Sequence, residues 1–308
     1  MGSEQGVLRL SVFATVAMAV FGILSGLITG SSAIVFDGIY ALTDAAMTLV
    51  SLSVAGLIGS ATTGIAPRGK LGERFTMGFW HLEPIVIGLN GTLLMGAALY
   101  ALINALLSLS TGGRHLELDV AILYALVALI AASVMALACR RANRSIRSDL
   151  VALDVKSWQM SAALSGALLV AFIFAFMIQG TRFGFLAPYV DPAVLALVAL
   201  VILPMPLGTV RRALSDILLV TPPDLKLHVD AVAEAVVARE GFLSHRAYVA
   251  RVGRGKQIEL YFIVPPGLPA RPLEDWDALR NAIGHAIGDE SPDRWLTIAF
   301  TTDPEWAE

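Results

Sequence analysis

The sequence predicts an α-helical membrane protein: six transmembrane helices arranged as an inverted repeat, followed by a small α+β domain of αββαβ, ferredoxin-like order. Three observations lead there. The residues are 56% hydrophobic and only 15% charged, with mean hydropathy +0.72, whereas soluble domains carry charge on about a quarter of their residues. Six apolar runs each approach the roughly 20 residues that a spanning helix needs. After residue 208 the character changes, and the last hundred residues hold more than half of the acids. The chain therefore divides into a transmembrane domain, 1–208, and a soluble domain, 209–308, that the topology below makes cytoplasmic.

The runs are Leu10–Gly30, Ser32–Ile58, Pro84–Leu107, Leu118–Cys139, Ser157–Gln179 and Tyr189–Leu207. The first is too long for the apolar core of a signal peptide and no cleavage pattern follows it, so it reads as a retained helix. Charge in the connections sets the topology. One side carries Arg68, Lys70, Arg74, Arg140, Arg141, Arg144, Arg147, Arg211 and Arg212, beside Glu73; the other carries Arg114 and Arg182. Nine bases against two place both termini in the cytoplasm, in an integral membrane protein of, we expect, the bacterial inner membrane. The four arginines between runs four and five are first of all topology determinants, and can also meet anionic lipid.

In the soluble domain, Leu225–Arg239 has apolar residues at helical spacing. Arg246–Val252 and Gln257–Val264 read as strands joined by a turn at Gly253–Lys256. Leu273–Ile287 is a second amphipathic helix and Trp295–Thr301 a last strand. This order suggests two helices on one face of a three-stranded sheet.

Chemistry concentrates in the second run. Ser11–Val35 and Ala45–Ala66 are uncharged, yet Asp37 and Asp44 lie between them. A carboxylate at membrane depth is costly and survives where it faces a cavity, a donor or a cation. Asp37, Tyr40 and Asp44 are spaced i, i+3, i+7 and share one helix face. The start of the fifth run repeats the pattern with Asp154, Ser157 and Ser161. The two runs occupy matching places in two three-helix halves and cross in opposite directions, the mark of an inverted repeat with its site between the halves. Ser157 and Ser161 could also serve simply as small residues for close helix packing. Asn90 and Asn104 read as interhelical hydrogen-bonding residues, Lys156 as a snorkelling base, Trp158 as a packing residue, and Cys139 as a small core residue.

Gly30-Ser31-Ser32-Ala33-Ile34 with Asp37 and Asp44, then Arg74-Phe75-Thr76-Met77-Gly78-Phe79-Trp80-His81-Leu82-Glu83, then Asp191-Pro192 at the sixth helix, resemble in their order the cation diffusion facilitator family of divalent metal transporters. The resemblance covers nearly the whole chain. It implies four ligands for a tetrahedral metal, a pair from each of helices two and five, which fall on Tyr40, Asp44, Ser157 and Ser161. Only Asp44 keeps the family's ligand type, and no histidine lies in the six runs. An oxygen-only set favours harder cations such as Mn2+, Mg2+ or Fe2+, with the choice among Mn2+, Fe2+, Mg2+, Zn2+ and Co2+ left open. Asp37 and Asp154 are expected to flank the path; the other reading makes each a structural residue bonded to its neighbours. The accessory metal site of the loop before helix three is expected to be missing, with Gly72, Phe75 and Phe79 there and His81 an interfacial residue. The tail, with His228, His245 and His285 scattered and a lone Asp303-Pro304, is expected to form a homodimer without strong metal binding.

The function expected is export of a divalent cation by proton antiport, with no resident cofactor. The alternative is a degenerate relative that no longer transports and acts as a membrane-anchored dimeric regulator. The net charge of -3 argues against nucleic acid. One cysteine excludes a disulfide framework, and no nucleophile elbow, phosphate loop or paired-histidine motif suggests an enzyme.

Overall fold

The computed structural model describes residues 4–62, 78–114, 116–146 and 149–308. The basic connection with Arg68, Lys70, Glu73 and Arg74, together with Gly72, Phe75 and Arg147, lies outside the described residues. Six long helices follow one another: α1 (Glu4–Thr29), α2 (Ser32–Thr62), α3 (Leu82–Ser110), α4 (Leu118–Ile146), α5 (Asp149–Gln179) and α6 (Ala187–Ile202), the last preceded by a 3-10 turn at Gly184–Leu186. They overrun the apolar runs because a helix need not stop where hydrocarbon does. With 29 residues, α3 is about 43 Å long, against an apolar membrane core of about 30 Å. The polar ends carry charge: α4 closes on Arg140, Arg141 and Arg144, and α5 begins at Asp149, well before the apolar start at Ser157.

Packing divides the chain into two units, Met1–Leu49 with Asn90–Gly208, and Val50–Leu89 with Thr209–Glu308. Small residues shape the first unit. Gly30, at φ 73°, lets the chain reverse between α1 and α2. The two helices then meet through glycine: a Cβ on Gly38 would lie 2.7 Å from the Ala19 carbonyl oxygen, and one on Gly26 would lie 2.6 Å from the Val35 nitrogen. Along α4, the buried alanines 121, 125, 128 and 132 form a stripe at helical spacing. Such a stripe lets neighbouring helices approach closely. Ile34, Tyr124, Leu168, Phe172 and Leu195 fill the core around it. A second cluster joins Val7, Ala136, Cys139, Val151 and Trp158. In each of the six spans only 17% to 33% of the apolar window is buried within the protein. The remaining surface, with Phe13, Ile28, Val170 and Met177 outermost, is stable only against lipid tails, since apolar area left in water costs about 25 cal/mol per Å2.

In the second unit, α7 (Leu207–Ile217) leads into α8 (Pro223–Glu240), β1 (Ser244–Val252), β2 (Gly255–Ile263), α9 (Leu273–Ile287) and β3 (Arg294–Thr301), closed by a 3-10 turn at Pro304–Ala307. This is the αββαβ order that the sequence suggested. β2 is central, antiparallel to β1 and parallel to β3. Val229, Val236, Leu260, Phe262 and Ile283 form its core with α8 and α9. The β1–β2 connection is shorter than the turn expected at Gly253–Lys256. Val252 pairs with Gly255, so Gly253 and Arg254 make a two-residue turn with Gly253 at φ 61°, where such turns select glycine. The turn reaches the start of α3. Arg254 donates its backbone N–H and its Nε to Glu83 Oε2 at 3.2 and 2.9 Å, and a Cβ on Gly255 would come within 2.9 Å of the Trp80 ring. The Asp216 carboxylate accepts the Gly253 N–H. Glu83 also makes the Arg254 guanidinium harder to deprotonate.

The glycine contact between α1 and α2 yields a controlled comparison. Gly38→Ala should lower the thermal midpoint of the detergent-purified protein, at a cost of about 1–3 kcal/mol for overpacking. Gly96→Ala, where a Cβ meets nothing within 4 Å, should leave it unchanged.

Candidate functional site

The polar face of α2 resolves into separate environments. Asp37 and Asp44 are seven residues apart, about 10 Å along the axis. The two acids are bonded to different helices, Asp37 to Tyr124 of α4 and Asp44 to Asn90 of α3. Asp44 lies on an accessible face of α2, where the Asn90 side chain of α3 hydrogen-bonds its carboxylate. The Asn90 Oδ1 is enclosed with no hydrogen-bond partner. Tyr40 is half-buried next to Asp44, its ring 5.7 Å from Phe36. Asp37 turns toward α4, where it accepts the Tyr124 O–H at 3.2 Å. The Tyr124 hydroxyl sits in the notch left by Gly22, 2.8 Å from where a Cβ would be.

On α5 the first member of the repeat is also tied away from its partners. Asp154 accepts the Ser11 O–H at 2.7 Å and the Cys139 S–H at 3.4 Å, and Ser11 accepts the Trp158 indole N–H at 2.7 Å. Ser157 and Ser161 lie on an exposed face of the same helix. The repeat thus extends to bonding. The leading acid of α2 reaches the first helix of the second half, and the leading acid of α5 reaches the first helix of the first half. Asp44 and Tyr40 come together with Asn90, whereas Asp37 and Asp154 are each drawn into a different helix contact.

Several of these partners escaped the sequence reading. Tyr124 and Ser11 carry no motif. Asn90 was read as an ordinary interhelical residue and proves to be a neighbour of Asp44; Asn104 accepts from Arg114 at 3.3 Å. Asp191, read only as a mark of the sixth helix, is 0% exposed and bonded to the start of α2. An acid alone in an apolar run, the signal that singled out Asp37, could have found it.

Among the described residues no three His, Cys, Asp or Glu side chains group as a metal site. The donors around Asp44 are one carboxylate, an amide and a phenol hydroxyl, which is an oxygen set. Phe79 is buried, and the other residues of the expected loop position, Gly72 and Phe75, lie outside the described residues. In the C-terminal α/β region each histidine has a different partner: His228 contacts the Ile287 carbonyl, His245 faces Asp230 and His285 pairs with Glu290.

Six helices long and apolar enough to cross a membrane define an integral membrane protein. Residues 8–218 match the family model described as the cation efflux transmembrane domain, and the chain belongs to the cation efflux family. Members of that family transport divalent metal cations and are not enzymes. No curated protein matches the chain.

The tie among α1, α4 and α5 can be tested by one atom. Ser11→Ala strands the Trp158 N–H and removes a donor from Asp154, a cost of about 1–3 kcal/mol that a lowered thermal midpoint should show. Cys139→Ala, which removes only a weak S–H donor, should cost less.

Proposed function

We propose that the chain exports a divalent cation from the cytoplasm in exchange for protons, through a site of oxygen ligands centred on Asp44. The observation that carries the reading is the Asn90 side chain, whose amide N–H bonds the Asp44 carboxylate while its Oδ1 is enclosed with no hydrogen-bond partner. A buried acceptor left unmatched is costly, and a cation would satisfy it. Tyr40 adds a hydroxyl, and Ser157 and Ser161, accessible on α5, are the proposed donors from the other half of the repeat. Carboxylate, amide and hydroxyl oxygens suit hard cations, so Mn2+, Mg2+ or Fe2+ is the proposed cargo. When the cation leaves, the Asp44 carboxylate can take up a proton, which makes antiport chemically natural.

Asp37 and Asp154 flank this site and hold helices together. With Tyr124 for Asp37, and Ser11 and Cys139 for Asp154, they have donors without a metal. The topology proposed puts both termini in the cytoplasm of a bacterial cell, with residues 1–208 in the inner membrane and 209–308 in the cytoplasm. The soluble domain is proposed to pair with a second copy. Tyr248 and Trp295, 48% and 39% exposed on the strands, leave apolar area on the sheet for a partner to cover.

Asp44→Asn tests the reading. Reconstituted in vesicles, the variant should keep its fold and lose Mn2+ flux by at least about a hundredfold, because a neutral amide cannot balance the cation's charge. Undiminished flux would remove Asp44 from the site, and a wild type that moves no divalent cation would favour a membrane-anchored regulator instead.

A further inference from the structure

We propose that Asp191 is a positioning residue for transport: from the start of α6 it caps the first turn of α2 and fixes the height and rotation of the helix that carries Tyr40 and Asp44. The proposal rests on Asp44 being the transport ligand. The first turn of any helix exposes N–H groups without helical acceptors. In α2 the first helical bond runs from the Val35 N–H to the Ser31 carbonyl at 3.2 Å, which leaves the N–H groups of Ser32, Ala33 and Ile34 to be satisfied otherwise. Asp191 Oδ2 accepts from Ser32 at 3.1 Å, and Oδ1 accepts from Ala33 at 3.3 Å and from the Ser31 hydroxyl. Ser31 Oγ in turn accepts the Ile34 N–H at 3.2 Å, as an N-cap serine does. All three are accounted for, two of them by a side chain 158 to 159 residues away.

The carboxylate does what a local cap cannot. Its negative charge meets the positive end of the α2 dipole, and it belongs to the third helix of the other half of the repeat. The connection between α1 and α2 is only Gly30 and Ser31, with Gly30 at φ 73°, so the turn alone holds the rotation of α2 loosely. A slip of one residue turns a helix by 100° and moves it 1.5 Å, while a cation site tolerates about 0.2 Å. Fully buried, Asp191 has no solvent to exchange its partners with. The carboxylate therefore holds α2 in one register while the site below it binds and releases its cargo.

The test uses the full chain in vesicles, Mn2+ as probe, and the variants Asp191→Asn and Asp191→Ala. Transport kinetics are read beside hydrogen exchange of a peptide covering residues 31–36. The expected result is about tenfold faster exchange at Ser32–Ile34, the scale of a lost cap, with a severalfold higher KM for Mn2+ and unchanged exchange in the other helices. Ser31→Ala in the Asp191→Ala background should speed exchange further at Ile34, whose N–H Ser31 Oγ accepts on its own. A loosened first turn with wild-type KM would overturn the positioning role, as would unchanged exchange at the first turn. So would faster exchange throughout the bundle in both variants, which marks a residue needed only for folding. A wild type that neither binds nor moves a divalent cation sinks the transport reading and the positioning role with it; the exchange data would then still report whether the cap exists.

Discussion

An acid inside an apolar bundle has to be matched by donors, and that requirement organises the transmembrane region of this protein. Leaving such a charge unpaired costs several kcal/mol, a large part of the stability of an ordinary domain. Asp37, Asp154 and Asp191 meet it by reaching a neighbouring helix: α4, α1 together with α4, and the first turn of α2. All but the Cys139 bond join one three-helix half to the other. Asp44 is matched differently, by the Asn90 amide on an accessible face. A site for a passing cation needs a charge within reach of the cation's path, and Asp44 alone of the four lies on an accessible face.

The glycine contacts make those bonds reachable. Because Gly22 and Gly38 let α1 and α2 approach closely, the Tyr124 hydroxyl can enter the notch beside them and meet Asp37. The alanine stripe of α4 does the same for α5. Close packing and polar bonding are thus one device: small residues bring backbones together, and the few polar groups between them fix register. Sliding α2 along α1 would break the Asp37 bond, the Asp191 cap and the Gly38 contact at once. Motion that opens the site to either side therefore has to carry these joined segments together or break bonds between them.

Much of this was legible in the sequence, for physical reasons. Six spans followed from apolar length, because nothing but lipid can cover such runs. The αββαβ order followed from periodicity and from Gly253, which marks the hairpin. The acids of α2 stood out because charge is rare there. Their partners did not. Ser11, Tyr124 and Asn90 are ordinary residues at positions no pattern marks, and their distances along the chain, 143 residues in the case of Ser11 and Asp154, are set by folding alone. The helix ends were not legible, since the helices continue through Arg144 and from Asp149, beyond the apolar runs that revealed them. The division of roles between Asp37 and Asp44 needed both levels: spacing put them on one face, and the Tyr124 bond of Asp37 set a helix tie apart from a candidate ligand.

The central claim is that oxygen ligands around Asp44 move a hard cation against protons. Its most direct measurement is a panel of divalent cations presented to the reconstituted wild type with a pH-sensitive dye inside the vesicles. The account predicts flux of Mn2+, Mg2+ or Fe2+ well above that of Zn2+, with protons moving in the opposite direction and in proportion. Zinc carried fastest, or cation flux with no change of internal pH, would contradict it.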